Sequence, residues 1–147
     1  MYRLFGISVV DGNSMRPAFL PGDIVIYRRG FTGNITYNDV VIVDTGIKEK
    51  IIKRIVGLPG DVIDIDEKGH ITRNGEAVRE PEVLFGYQDT SGGITFPYTV
   101  PENCYFYMGD NRPVSLDGRM LGAVEKSRIK GKVIVLIRAG SWANKTR

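Results

Sequence analysis

Glycine and proline interrupt this chain at intervals too short for a long helix to form between them. The 147 residues include 18 glycines and 7 prolines spread along the whole length. In a helix interior a glycine costs about 1 kcal/mol and a proline about 3 kcal/mol relative to alanine. Between the breaks stand short runs rich in isoleucine, valine and aromatic residues, at 3–10, 23–27, 40–44, 50–56, 62–66, 105–108 and 132–138. Runs of that length and composition read as β-strands, so the fold class is mostly β. Asn74-Gly75 between two such stretches closes a tight hairpin of type I′. Short helices are expected only over 17–20 and 125–128, and no internal repeat or low-complexity segment is present.

A chain of this length makes one compact domain, or one domain with a small lobe. The region from about 62 to 103 has shorter strands and denser turns than the rest, with Glu80-Pro81-Glu82 and Thr90-Ser91-Gly92-Gly93 inside it. Net charge is +3 with no block of like charge, so no nucleic-acid partner is expected. The mild positive balance suits a surface close to anionic lipid. The single cysteine, Cys104, excludes an internal disulfide and reads as a small core residue. No apolar run approaches the ~20 residues of a membrane helix, and no secretory leader pattern is present.

The chemistry is concentrated in two segments. Gly12-Asn13-Ser14-Met15-Arg16-Pro17 is a turn-rich stretch carrying a serine directly after the apolar run 4–10. A serine nucleophile needs a base, ordinarily histidine. The only histidine, His70, lies in a stretch that reads as an exposed hairpin. The second segment, Ile51-Ile52-Lys53-Arg54-Ile55-Val56, offers a lysine instead. In a strand, Ile51, Lys53 and Ile55 share one face. Burial between isoleucines disfavours the ammonium form and lowers the lysine pKa. A neutral lysine can take the serine proton and return it to a leaving amine. Taken singly, Ser14 is a turn serine and Lys53 a lysine snorkelling from a half-buried strand.

A third segment, Met108-Gly109-Asp110-Asn111-Arg112 followed by Ser115, Asp117 and Arg119, brings the first two together. With Pro21-Gly22-Asp23-Ile24-Val25 and the continuation Gly57-Leu58-Pro59-Gly60-Asp61, the blocks resemble, in order, those of the type I signal peptidases. These are serine/lysine proteases that remove signal peptides at the outer face of the cell membrane. The resemblance implies an antiparallel β-sheet catalytic lobe from 1–61 plus 104–147 and a smaller inserted β lobe at 62–103. The short insertion resembles Gram-positive members. It further implies Ser14 as nucleophile and, through its backbone N–H, as an oxyanion donor, with Lys53 as general base. Ser115 would hydrogen-bond the lysine amine, Asp117 and Arg119 would form a structural ion pair, and Asp110 would be a turn carboxylate. Neither a metal nor a cofactor is implied. Two positions depart from the family pattern, Ala18 where threonine is usual and Gly118 where serine is usual. Gly12 stands where some relatives place a hydroxyl donor to the oxyanion, leaving the second donor open.

Val9, Val10, Met15, Ile51 and Ile52 edge this site and are the expected substrate lining. The implied partners are signal peptides of exported preproteins and the membrane lipid surface. Phe5, Phe19, Leu20 and Trp142 form either an apolar rim toward lipid or part of the core. Family members carry one or two membrane helices just before the nucleophile block, and this sequence begins a few residues upstream of it. An ectodomain at the extracytoplasmic face of the cell membrane, with its anchor absent from this chain, is therefore expected. Two alternatives belong to other classes. One is a signal-peptidase-like protein assisting surface pilin processing or assembly. The other is a self-cleaving serine/lysine regulator, for which the only Ala-Gly pair, Ala139-Gly140, lies near the C-terminus rather than upstream of Ser14.

Overall fold

The computed structural model describes residues 4–30, 33–47 and 49–141. The strands in chain order are β1 (Phe5–Val9), β2 (Ile24–Arg28), β3 (Val40–Val43), β4 (Ile51–Gly57), β5 (Val62–Ile65), β6 (Ile71–Arg73), β7 (Glu76–Ala77), β8 (Tyr98–Thr99), β9 (Cys104–Met108), β10 (Val124–Glu125) and β11 (Ile129–Ile137). One helical turn, α1 (Gly118–Leu121), precedes β10. A seven-stranded sheet runs β1-β2-β11-β3-β4-β9-β10, and a four-stranded sheet runs β7-β6-β5-β8. The strands pair antiparallel in both. The mostly β expectation is therefore met, and the stretch from β5 to β8 makes a sheet of its own.

Two copies of one tetrapeptide explain how the chain re-enters its sheets. Leu20-Pro21-Gly22-Asp23 and Leu58-Pro59-Gly60-Asp61 each fold into a turn with the aspartate N–H bonded to the leucine carbonyl at 3.0 Å. Proline pre-sets the first corner, and glycine takes the positive φ of the second, 88° and 85°, as a type II turn requires. Each aspartate side chain then accepts the leucine N–H at 2.8 Å. At Asn74-Gly75 both residues have positive φ, 55° and 82°, the signature of a type I′ hairpin joining β6 to β7.

Three apolar clusters fill the interior. Val10, Met15, Phe19 and Val25 pack under the loop carrying Ser14. Val41, Val43, Ile55, Tyr105, Tyr107 and Ile129 form the centre of the large sheet, with Ile51 against them. Val56, Ile63, Ile71, Val100, Phe106 and Met108 join β4 and β9 to the small sheet. The two sheets are also tied by charge: Arg112 is fully buried, with Nη2 on Glu80 and Nη1 donating to the Gly69 carbonyl.

One helical expectation is corrected and the other is met in part. Residues 17–20 form no helix: Phe19 N–H reaches Met15 O at 2.9 Å, a single turn ended by Pro21, before which helical geometry is disfavoured. At 125–128 the expected short helix is present as a 3₁₀ helix over Lys126–Arg128, with Glu125 at its N-terminus ending β10. The helical turn α1 went unforeseen, and it exists because the Asp117 carboxylate caps it by accepting the Arg119 N–H at 3.1 Å. β11 begins at Ile129, three residues before the expected 132, continuing through an irregularity between Ile129 and Gly131.

Candidate active site

Ser14 sits on the loop between β1 and β2, and that loop is held from both sides. Val10 N–H bonds to Asp23 O at 2.7 Å, and Gly22 N–H to Val10 O at 2.9 Å. The fully buried Asp23 also accepts from Arg138 Nη1 at 2.7 Å and from Ala139 N–H at 3.1 Å. Asn111, just after β9, fixes the other side. Its N–H donates to Ser14 O at 2.9 Å, and its Nδ2 donates to Asn13 O at 3.1 Å. The serine therefore stands on a loop whose Asn13 and Ser14 carbonyls are both taken, with its hydroxyl at the groove.

Lys53 comes from β4, paired with Val41 of β3, and is 3% exposed. Its Nζ donates to Ser14 Oγ at 2.6 Å. Burial pushes the amine down from 10.5 to about 8, although the Asp117 and Asp110 carboxylates pull it the other way. The desolvation of a point charge outweighs two carboxylates that are already engaged elsewhere.

Those carboxylates have arginine partners. Asp110, fully buried, receives Arg54 Nε at 2.8 Å and Nη2 at 2.7 Å, a bidentate pair. Asp117 receives Arg119 Nε at 2.9 Å and Nη2 at 3.0 Å, and the Gly109 N–H at 3.0 Å. Arg119 Nη2 also donates to the carbonyls of Arg112 and Ser115. A second donor to the Ser115 carbonyl is Gln88, whose Nε2 lies 3.0 Å from Ser115 O. The segment 109–119 is thus knitted into a rigid shelf beside Ser14 and Lys53.

Ser115 is fully buried and its Oγ has no hydrogen-bond partner among the described residues. In this structure the Lys53 amine is directed to Ser14 Oγ, and no Ser115–Lys53 bond is formed. Ser115 is nonetheless packed into the site through Gly109. A Cβ added there would overlap Ser115 Oγ and Cβ and lie 2.6 Å from the Ser14 carbonyl oxygen. Only glycine permits the serine loop, β9 and Ser115 to approach this closely.

A groove of about 540 Å³ opens in front of Ser14 and Lys53, and Val9, Val10, Met15, Ile51 and Ile52 all line it. Met15 and Val10 are buried and make its floor, while Val9 is largely exposed at its rim. A second hollow of about 150 Å³ shares Ser14, Ile51 and Lys53 but is closed by Thr45, Ile47, Leu116 and Leu121. Phe5 is exposed on β1, Phe19 belongs to the core, Leu20 is half-buried, and Trp142 lies outside the described residues. His70 is exposed before β6, its Nδ1 3.1 Å from Asp66 Oδ2 and its ring against Phe85. Among the described residues no group of histidine, cysteine, aspartate and glutamate could hold a metal ion. No helix there is long and apolar enough to cross a membrane.

Arg54, Asn111, Asp23 and Arg112, present in the sequence blocks without a role, and Gln88, outside them, also build the site. Arg54 carried a signal: a second cation alternating with Lys53 in an apolar strand requires a buried acid on the opposite face. Gln88 carried none, because its partner is a backbone carbonyl 27 residues away.

Ser14 Oγ and the buried Lys53 Nζ thus form a hydrogen-bonded hydroxyl–amine pair beside the antiparallel sheet. A family model described as signal peptidase, peptidase S26, matches residues 1–138. The chain is 35% identical over 140 residues to signal peptidase I P of Bacillus subtilis subsp. natto, covering 87% of this chain and 74% of the relative. It is 35% identical over 139 residues to signal peptidase I of Bacillus licheniformis, with the same coverage of 87% and 74%. The fold is that of a signal peptidase I from Enterococcus faecalis V583, at TM-score 0.54 and 23% identity over 70% of this chain and 98% of that one. The chain belongs to the signal peptidase family, peptidase S26, a family of serine endopeptidases.

Proposed function

We propose that the chain removes signal peptides from exported preproteins by a serine/lysine acyl-enzyme mechanism. The observation that carries this reading is the 2.6 Å bond between Ser14 Oγ and the buried Lys53 Nζ. With its pKa near 8, the amine is neutral in a sizeable fraction of molecules at mildly alkaline pH and accepts the Ser14 proton. Ser14 Oγ attacks the scissile carbonyl, and Lys53 passes the proton to the leaving amine. Water, activated by the same amine, then hydrolyses the acyl-enzyme. The Ser14 N–H is one donor to the oxyanion. Ser115 is the positioning residue: its buried hydroxyl takes the lysine amine when Ser14 Oγ becomes part of the acyl ester. Its close packing against Gly109 beside the Ser14 carbonyl supports this assignment. Asp110–Arg54 and Asp117–Arg119 hold the shelf and keep their charges paired away from the amine.

The substrate reading rests on the groove. Ile51 to Lys53 pair with β3 on one side, whereas β9 joins β4 only from Arg54 onward. The free edge at 51–53 is available to an extended peptide, whose small residues at −1 and −3 enter the pocket over Val10, Met15 and Ile52. In this reading 1–61 plus 104–147 form the catalytic lobe, and 62–103 buttress it through Arg112 and Gln88. Phe5, Ile7 and Val9, exposed on edge strand β1, and Leu4 just before it face the lipid surface at the extracytoplasmic side of the membrane. Incubation with preprotein and pre-pilin peptides, with mass spectrometry of the products, tests the assignment. Cleavage after a small residue that is lost in Ser14→Ala supports it, and cleavage confined to pre-pilins moves the chain to the pilin-processing class. Wild-type turnover in Ser14→Ala refutes the mechanism.

A further inference from the structure

The smaller hollow beside Ser14 is distinct in its walls from the groove along β1. Its own residues are Thr45 and Ile47, from the β3–β4 connection, Leu116, from the shelf after β9, and Leu121, at the end of α1. These last three are apolar and solvent-exposed, Ile47 at 66%, Leu116 at 44% and Leu121 at 37%. Exposed aliphatics converging on a hollow beside a nucleophile cost solvation and return nothing to the fold. Its volume of about 150 Å³ suits one aliphatic or aromatic side chain.

The direction of an extended peptide decides which side chain that is. Successive side chains in a strand point to opposite sides. If the residue before the cut fills the groove over Met15 and Val10, the residue after it points away from that groove. Both are joined by the bond lying over Ser14 Oγ and Lys53 Nζ, and both hollows have these two residues in their walls. We propose that the hollow closed by Ile47, Leu116 and Leu121 binds the side chain of the first residue after the scissile bond. It selects apolar over charged residues there. The inference rests on Ser14 and Lys53 as the catalytic pair and adds a specificity site on the leaving-group side.

The test uses one cleavable peptide varied at the residue after the cut (Ala, Leu, Phe, Asp, Lys), and the same peptide varied at the second residue before it. The wild-type chain is expected to prefer Leu or Phe over Asp and Lys after the cut by roughly tenfold or more in kcat/KM, with a flat response at the other position. Leu121→Lys is expected to reverse the order so that Asp is preferred, while the small-residue requirement before the cut is unchanged. Ile47→Lys, at a more exposed position, provides the same readout if Leu121→Lys does not fold. Cleavage with a flat profile after the cut, a preference appearing at the second residue before it, or an unchanged order in both variants overturns the inference alone. A wild-type chain that cuts none of the peptides overturns the catalytic reading beneath it.

Discussion

Replacing Lys53 by methionine is expected to stabilise the protein while removing its chemistry. Burial holds the Lys53 amine at about 8 against an ordinary 10.5. That difference corresponds to about 3 kcal/mol by which the folded state disfavours the charged form relative to the unfolded chain. Below pH ~8 both states carry the proton and the folded state bears the whole penalty. Between ~8 and ~10.4 the unfolded chain binds more protons than the folded one, so stability rises with pH. Above that range the amine is neutral in both states and the penalty is gone. Methionine has a similar length, fills the same channel beside Ile55 and Val41, and carries no charge. The lost bond to Ser14 costs little, because that hydroxyl is half-exposed and water replaces the amine. Lys53→Met should therefore exceed wild type by about 1–3 kcal/mol at pH 7 and converge with it near pH 10.5. Urea denaturation of the two proteins at several pH values gives this difference directly, since every other titrating group cancels. A difference that stays constant with pH would refute the claim that Lys53 is buried at the expense of its charge.

Other substitutions probe the shelf and the base. Ser115→Ala should leave the fold intact and lower kcat roughly tenfold to a hundredfold with little change in KM, as loss of an orienting partner does; full activity removes Ser115 from the mechanism. Gly109→Ala should drive a methyl group into Ser115 and the Ser14 loop, costing about 1–3 kcal/mol of stability by overpacking along with most of the turnover. Thermal unfolding and kcat measured together check this, and an unaffected enzyme contradicts the close approach. Arg54→Ala leaves Asp110 buried without its guanidinium and should destabilise by about 3–5 kcal/mol, read by chemical denaturation.

The seven longer strands and the Asn74-Gly75 hairpin were legible because each depends on local chemistry, whereas β8 and β10, two residues each, are too short to leave a pattern. The pairing of Ser14 with Lys53 was legible only as blocks in order, since nothing local brings residues 39 apart in sequence into contact. What stayed hidden was long-range charge pairing. The resemblance implied Asp110 only as a turn carboxylate, yet its partner Arg54 sits 56 residues earlier. The helix over 17–20 was misread because Pro17 suits a first helical turn, while the loop closes on Asp23 six residues later. α1 was missed because a one-turn helix owes its existence to the Asp117 cap and not to any periodic pattern.

The central claim, that Lys53 and not His70 is the base, is tested most directly by the pH profile of kcat/KM on one peptide substrate. Wild type, His70→Ala and Lys53→Arg are the three proteins to compare. Wild-type activity is expected to rise through pH ~8 and hold into alkaline solution, following the depressed amine. His70→Ala, altered at an exposed position, should superimpose on it, and Lys53→Arg, which cannot give up its proton, should be inactive. A wild-type rise centred near ~6.5 that disappears in His70→Ala, or turnover surviving in Lys53→Arg, would contradict the assignment.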